Sequence, residues 1–507
     1  MATLDGSARP VSLGPGYTLR APGFKGTADM RSGGFATTRS AMRGLDDGLD
    51  ALDEALRNTN VTEVRQIDLA LQPVAGAQGV QGGRGARGAT AEAEIELEVP
   101  DAGPDDGQLV LSIDDNGAMR WHLPEPGDTG AATRGGGGGK RFRIPASVAA
   151  PSSDATDGAK GRGILGAIGR RILKVLVYPL TDPIVGPVAD FFARRWEEKH
   201  RPHRIRDFTP ANYKTVQSNM LTPGDVQKLA AGKPLLLFVH GTFSTAHGGF
   251  GGLPIETMTE LHRRYEGRVI AFDHPTLSAD PAANIAWLRA HLPASPLQID
   301  IVCHSRGGLV SRVLAEAPGA FGAHDGNITV RRVVLGAVPN SGTLLTDPDH
   351  MVNMIDRLTT ALSLLPSGPV SEILEALITL LKVIGHGGLK GLDGLASMNP
   401  TGKFLSTLNG AGGQPGEYFA IAANYEPTDR GLRALVSGAA DGVADQVFGN
   451  AGNDLVVPTD GVFAKNGNAR FPVPTDRLLR FDAADGVMHT SVFEQPRSAQ
   501  RLLQWLN

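Results

Sequence analysis

The chain has 507 residues, 65 of them glycine, a formal charge of −4 and a single cysteine, Cys303. One cysteine excludes an intramolecular disulfide, and neither a cysteine-based zinc signature nor His-Glu-x-x-His is present. The small net charge gives no electrostatic basis for nucleic-acid binding, and MATLDGSARP lacks a basic-then-apolar signal region, so a cytoplasmic protein without metal or cofactor is expected.

Residues 1–60, rich in Gly, Ser, Thr and Asp, read as a partly flexible segment with one helix near 47–57. Residues 61–73 and 91–99 alternate like strands, and LVLSIDDNGAMRWHL (109–123) carries Asp-Asn-Gly between two strand-like arms, a hairpin signal. With RFRIP at 141–145 these make 61–146 a small β-rich module. The stretches 75–89 and 124–140 read as flexible loops or linkers. Nothing catalytic stands out, so a recognition module for a protein partner is expected.

Residues 147–206 read as a linker with amphipathic basic helices. GILGAIGRRILKVLVYPL sets Ile164, Ile168 and Ile172 at helical spacing, with Arg170, Arg171 and Lys174 elsewhere on the surface; a basic run from Arg194 to Arg206 follows. Such a helix can lie on an anionic membrane, giving peripheral contact through 161–206. The commoner alternative is a helix docked on its own domain, and Trp196 suits either an interfacial anchor or packing.

From 207 to 507 the pattern changes. Apolar, β-rich runs occur at 234–240, 268–273, 298–304, 331–338, 418–424 and 477–482, with helix-compatible stretches such as 255–265, 281–291 and 307–316 between them. This alternation predicts an α/β fold: a mostly parallel sheet with helices on both faces and ligands at the carboxyl ends of the strands. PLLLFVHGTFS (234–244) ends a buried strand in His240-Gly241, where a loop can present backbone N–H groups to a developing oxyanion. The candidates are Phe243 or its neighbour Thr242, together with Arg306; His240 reads as the histidine that holds the turn.

IDIVCHSRGGLV (299–310) runs from a strand through Ser305 to a helix, the layout of a nucleophile elbow. Serine is a weak nucleophile until a base takes its proton, so it must stand where a histidine can reach it. Small residues two before and two after the serine relieve crowding; Gly307 fills the second position and Cys303 the first. Residues 351–366 and 369–385 read as helices. VSEILEALITLLKVIG is apolar nearly all round, which suits a cap at about 344–409 over the site, or a helix that thickens the core. It is marginal in length for a membrane span.

The histidines after Ser305 are His324, His350, His386 and His489. The order serine, acid, histidine leaves His489, in a late loop after the last strand, as the base. The acids beyond 418–425 are Asp429, Asp441, Asp445, Asp454 and Asp460. Asp454, after turn residues and before Val456-Val457-Pro458, is the first choice and Asp460 the reserve.

Together these residues resemble the α/β-hydrolase superfamily over roughly 205–507, its lipase and esterase branch most of all. HGTFS resembles the oxyanion loop, and CHSRGG the elbow with a histidine beside the serine. VRRVVLGAVPNSGT (330–343) resembles the following strand with its Pro-x-x-Gly-Thr turn, and GNDLVVPTDGV the acid loop. GLASMNPTGKFLSTLN (394–409) resembles a segment after the lid in glycosylphosphatidylinositol-deacylase-like lipases. Cys303 departs from the family's glycine. The resemblance implies an α/β-hydrolase fold with a helical cap and a carboxylic-ester hydrolase that takes a hydrophobic ester or lipid through an acyl-enzyme. A thioesterase or amidase would use the same parts. The alternative is an interaction or membrane-targeted effector whose hydrolase domain is partner-activated or inert.

Overall fold

The structure, a computed structural model, describes residues 1–34, 46–74, 94–114, 117–125, 139–145, 170–180, 189–316, 319–322, 327–343, 348–363, 370–385, 392–410, 416–425, 452–464 and 471–507. Its first elements are β1 (Ala2–Asp5), β2 (Val11–Gly14), β3 (Tyr17–Arg20), β4 (Phe24–Ser32), α1 (Asp46–Asn58), β5 (Thr62–Pro73), β6 (Glu94–Pro100), β7 (Asp106–Asp114), β8 (Met119–His122), β9 (Gly139–Pro145) and β10 (Arg170–Pro179). There follow α2 (Ala189–His200), β11 (Arg204–Asp207), α3 (Pro223–Ala230), β12 (Leu235–Val239), α4 (Ala246–Phe250), α5 (Ile255–Arg264), β13 (Val269–Asp273), α6 (Pro281–Ala290), β14 (Leu297–His304), α7 (Gly307–Glu316) and β15 (Ile328–Gly336). Last come α8 (Pro348–Ser363), α9 (Val370–Gly385), α10 (Asp393–Ala396), α11 (Lys403–Gly410), β16 (Glu417–Ala423), β17 (Leu478–Phe481) and α12 (Pro496–Trp505).

The chain divides into two units: Met1–Asp182 with Ile355–Pro366 and Pro427–Gln446, and Pro183–Met354 with Ser367–Glu426 and Val447–Asn507. The first is built on two antiparallel sheets, ordered β1-β4-β5-β10-β7-β8 and β2-β3-β6-β9. Leu19, Leu97, Phe142 and Ile144 from the smaller sheet share one apolar core with Ile67, Leu69, Leu173 and Val175 from the larger. Hairpin β7–β8 pairs Val110 with His122 and Ile113 with Met119, as the Asp-Asn-Gly signal predicts.

Three expectations are corrected in this unit. Residues 1–32 are not a loose segment; they supply four strands to the two sheets. The helix expected around Ile172 is strand β10, paired with β5 on one side and β7 on the other. Ile172 through Leu176 are buried, and the Lys174 ammonium, 1% exposed, meets Glu63 at 2.8 Å and Asp53 at 3.8 Å. Residues 170–179 thus form no amphipathic helix, and residues 161–169 lie outside the described ones. Third, the 344–409 cap is not one piece. Within the first unit, Asp356 Oδ1 accepts from Trp121 N–H at 2.8 Å and Thr360 Oγ1 from Met119 N–H at 2.9 Å. These side chains satisfy strand amides on β8, at the edge of its sheet.

The second unit carries a seven-stranded sheet, ordered β11-β13-β12-β14-β15-β16-β17. All its pairings are parallel except β11–β13. Every residue of β12 and β13 is buried, which requires cover on both faces and explains the unbroken apolar runs. Leu236, Phe238, Ala271, Val302 and Ile421 join Met258 and Leu261 of α5 and Leu502 and Trp505 of α12 in one core. β11, unmarked in sequence because it reads Arg-Ile-Arg-Asp, places Arg206 fully buried beside Asp273 at 3.5 Å and over the Phe208 ring. Trp196 packs: it is 6% exposed, stacks on His200 and lies under the Arg201 guanidinium. Among the described residues no helix is long and apolar enough to cross a membrane.

Candidate active site

Ser305 stands directly after β14, in the turn before α7, with φ +52°. A non-glycine residue in the left-handed region is strained, and that strain lifts the side chain out of the line of the strand. Ser305 N–H donates to Gly336 O at 2.8 Å, tying the turn to β15. Gly307 is required sterically: a Cβ there would lie 2.3 Å from His240 O and 2.4 Å from Val239 O. Gly241 is required as well, because its Cβ would come within 2.5 Å of Ser305 Cβ. Cys303 is fully buried, and its thiol donates to Val334 O at 3.3 Å. Burial pushes that thiol up to about 12, so it stays protonated and inert.

Asp454 and His489 meet in this unit. His489 Nδ1 lies 2.8 Å from Asp454 Oδ2, and His489 N–H donates to Asp454 O at 3.0 Å. Asp454 is 1% exposed; its Oδ1 accepts from Val456 N–H at 3.0 Å and Val457 N–H at 2.7 Å. The acid loop is fastened to the end of β16: Thr459 Oγ1 donates to Ala423 O, and Tyr425 N–H to Asn453 O. A carboxylate so held fixes the imidazole proton on Nδ1 and leaves Nε2 as the acceptor. Asp460, the reserve acid, is 73% exposed and faces Arg480 at 3.6 Å, away from the Asp454–His489 pair. Asp429, Asp441, Asp445, His324 and His386 lie outside the described residues, and His350 sits on α8.

His304 is the histidine beside the serine in CHSRGG, to which the sequence assigns no role. Its Nε2–H donates to His489 O at 2.9 Å, and the two rings lie 4.9 Å apart. The loop that carries His489 is thereby anchored to the residue next to Ser305. A histidine placed between an apolar strand and the serine was the available signal. No Ser305–His489 hydrogen bond is present among the described residues; such bonds commonly tighten only once substrate is bound.

His240 holds the candidate oxyanion loop. Its Nε2 accepts from His274 N–H at 3.1 Å, so the ring proton is on Nδ1 and donates to Gly241 O at 2.9 Å. Of the candidate amides, Phe243 N–H donates to Thr276 Oγ1 at 3.3 Å. Thr242 N–H and Arg306 N–H make no hydrogen bond within the chain among the described residues. Beside this loop, Glu372 in the first turn of α9 meets His247 Nε2 at 3.1 Å, and its backbone carbonyl accepts from Arg201 at 2.9 Å. α9 is buried on most of its surface, from Val370 to Ile384.

Burial sets the charge state of the surrounding histidines. It depresses His240 and His203 to about 4 and His304 to about 3, from an ordinary 6.5. Above pH 6.5 these groups are neutral in folded and unfolded chains alike. Below it the unfolded chain takes up protons that the fold refuses, so stability falls from pH 6.5 down through the folded values. Each histidine adds a slope of up to about 1.4 kcal/mol per pH unit. Urea unfolding midpoints are therefore expected to drop steadily from pH 7 to 4.5, and a flat series would contradict the buried neutral state.

Residues 200–507, more than half of the chain, match a family described as a domain of unknown function (DUF7379). No curated protein matches the sequence. Among solved structures, lipase 1 from Pelosinus fermentans is similar at 12% identity and a TM-score of 0.34, over 54% of this chain and 96% of its own. EstA from Clostridium botulinum is similar at 12% and 0.34, over 59% and 97%. Phospholipase PlaB from Legionella pneumophila is similar at 13% and 0.28, over 45% of each chain, so the match spans less than half of that phospholipase. With more than half of its length matched, the chain belongs to the DUF7379 family.

Proposed function

We propose that the protein is a serine-dependent carboxylic-ester hydrolase. The observation that carries this is the pairing of a strained, strand-end Ser305 with a buried Asp454–His489 hydrogen bond whose histidine is anchored to His304. Ser305 Oγ attacks the acyl carbon and gives its proton to His489 Nε2. The imidazolium so formed lies against the Asp454 carboxylate. The oxyanion is met by Thr242 N–H and Arg306 N–H, neither of which has an acceptor among the described residues. His489 then returns the proton to the leaving alcohol. Water, deprotonated by the same histidine, releases the acid and restores Ser305. A hydrophobic acyl group is the reading for the substrate, supported by the apolar length of α9 beside the oxyanion loop.

The test is a fluorophosphonate probe with a series of p-nitrophenyl esters of increasing chain length, matched by thioesters and anilides. Labelling, and kcat/KM rising with acyl length and highest for esters, is expected. A thioester or anilide preference would move the assignment to another acyl transfer, and absence of both labelling and turnover would end it.

A further inference from the structure

Among the buried acids outside the triad, Glu197 is held by a loop next to the oxyanion site. Glu197, on α2, is fully buried, and among the described residues no cation lies within ion-pair reach of it. It is solvated instead by the loop after β13. Thr276 N–H at 2.5 Å and Leu277 N–H at 2.7 Å donate to Oε1. Ser278 N–H at 2.9 Å and its hydroxyl at 2.7 Å donate to Oε2, and the Thr276 hydroxyl reaches Oε1 at 3.4 Å. Three successive amides turned on one carboxylate form an anion nest whose anion is part of the chain.

That loop touches both segments of the proposed oxyanion site. Thr276 Oγ1 accepts from Phe243 N–H, which sits one residue past Thr242 at φ +61°. Leu277 O accepts from Gly394 N–H at 3.0 Å, and Gly394 O accepts from Arg306 Nε at 2.7 Å. The Arg306 guanidinium also donates to Ala279 O. Gly394 sits so close that a Cβ there would fall 2.2 Å from Thr276 O. The loop at 276–279 is therefore the common support of the segments that carry Thr242 N–H and Arg306 N–H.

We infer that Glu197 is a positioning residue of the oxyanion site, acting through the 276–278 loop; this rests on the hydrolase reading above. Without the carboxylate, three amides lose their shared acceptor. Thr276 then no longer holds Phe243, and the two uncommitted amides lose their common aim. A merely structural carboxylate would lower stability and leave the oxyanion geometry alone.

The experiment uses the full-length chain with Glu197→Gln, Thr276→Val and Thr276→Ser. Glutamine keeps the volume but turns an NH2 against the loop amides, and valine removes the acceptor for Phe243 N–H. Both variants are expected to lower kcat about 10- to 100-fold, less than the loss of a whole oxyanion donor, with KM within about threefold. Affinity for a trifluoromethyl ketone, a mimic of the tetrahedral oxyanion, should fall with kcat/KM. Thr276→Ser, which keeps the hydroxyl, should stay near wild type. Hydrogen–deuterium exchange of the 241–246 segment should rise in the first two variants and not in the third. A folded Glu197→Gln with wild-type kcat and exchange overturns the inference, and Thr276→Val decides it if Glu197→Gln does not fold. A wild type that neither labels nor turns over any ester overturns the hydrolase reading and takes the catalytic role of Glu197 with it; a labelled wild type beside an unaffected Glu197→Gln overturns this inference alone.

Discussion

Ser305→Ala is expected to abolish fluorophosphonate labelling and to lower ester turnover by about 10⁶-fold, with the fold unchanged. The size follows from the chemistry: without the hydroxyl there is no acyl-enzyme, and only oxyanion stabilisation and binding remain, worth about 10³- to 10⁴-fold over water. Cys303, two residues away, cannot take over: it is fully buried, donates to Val334 O and has its thiol pushed up to about 12. The fold should survive because alanine and serine carry the same Cβ penalty at φ +52°, and Ser305 N–H keeps its bond to Gly336 O whatever the side chain. Mass spectrometry of the labelled protein, with circular dichroism as the folding control, checks both halves. Label that persists in Ser305→Ala would place the nucleophile elsewhere.

The parts of this site that sequence exposes are those whose constraint is local. β12 and β13 are buried throughout and β14 from Ile299 on, so their sequences are dominated by apolar residues that end where the candidate site begins. Gly241 and Gly307 stand where any Cβ would collide, and each lies next to a candidate group. What stayed hidden depends on partners far along the chain. β10 reads as a basic helix because the acids that bury Lys174 lie 111 residues earlier at Glu63 and nearby at Asp53. β11 is invisible because Arg206 is matched by Asp273 from another strand. Asp356 and Thr360 look like ordinary helix residues until β8 presents the amides they satisfy. Glu197 sits in the charged run Arg-Arg-Trp-Glu-Glu-Lys-His, where nothing local separates it from the exposed Glu198. Phe243 and Thr242 are equivalent in sequence, and only Thr276 tells their amides apart.

The distinction between Asp454 and Asp460 is also tertiary, and it produces the second large effect. In Asp454→Asn the amide oxygen can keep the bonds from Val456 N–H and Val457 N–H, because a single Asp454 oxygen accepts both. The NH2 group then faces His489 Nδ1, which sits 2.8 Å from the other oxygen. A donor opposite Nδ1 forces the ring proton to Nε2, the atom that must take the proton from Ser305. The general base is thus present in the wrong tautomer, and kcat should fall by about 10⁴-fold while KM changes little. The expected stability change is small, since every hydrogen bond at position 454 has a replacement. His489→Ala should fall at least as far, and the double variant little further, because the pair acts as one unit. Asp460→Asn, at an exposed residue that among the described ones is paired with Arg480 across 3.6 Å, should keep wild-type turnover. Steady-state kinetics of the four variants on one ester decides the matter: activity retained in Asp454→Asn and lost in Asp460→Asn would transfer the role of the acid, and activity retained in both would leave His489 oriented by something other than either carboxylate.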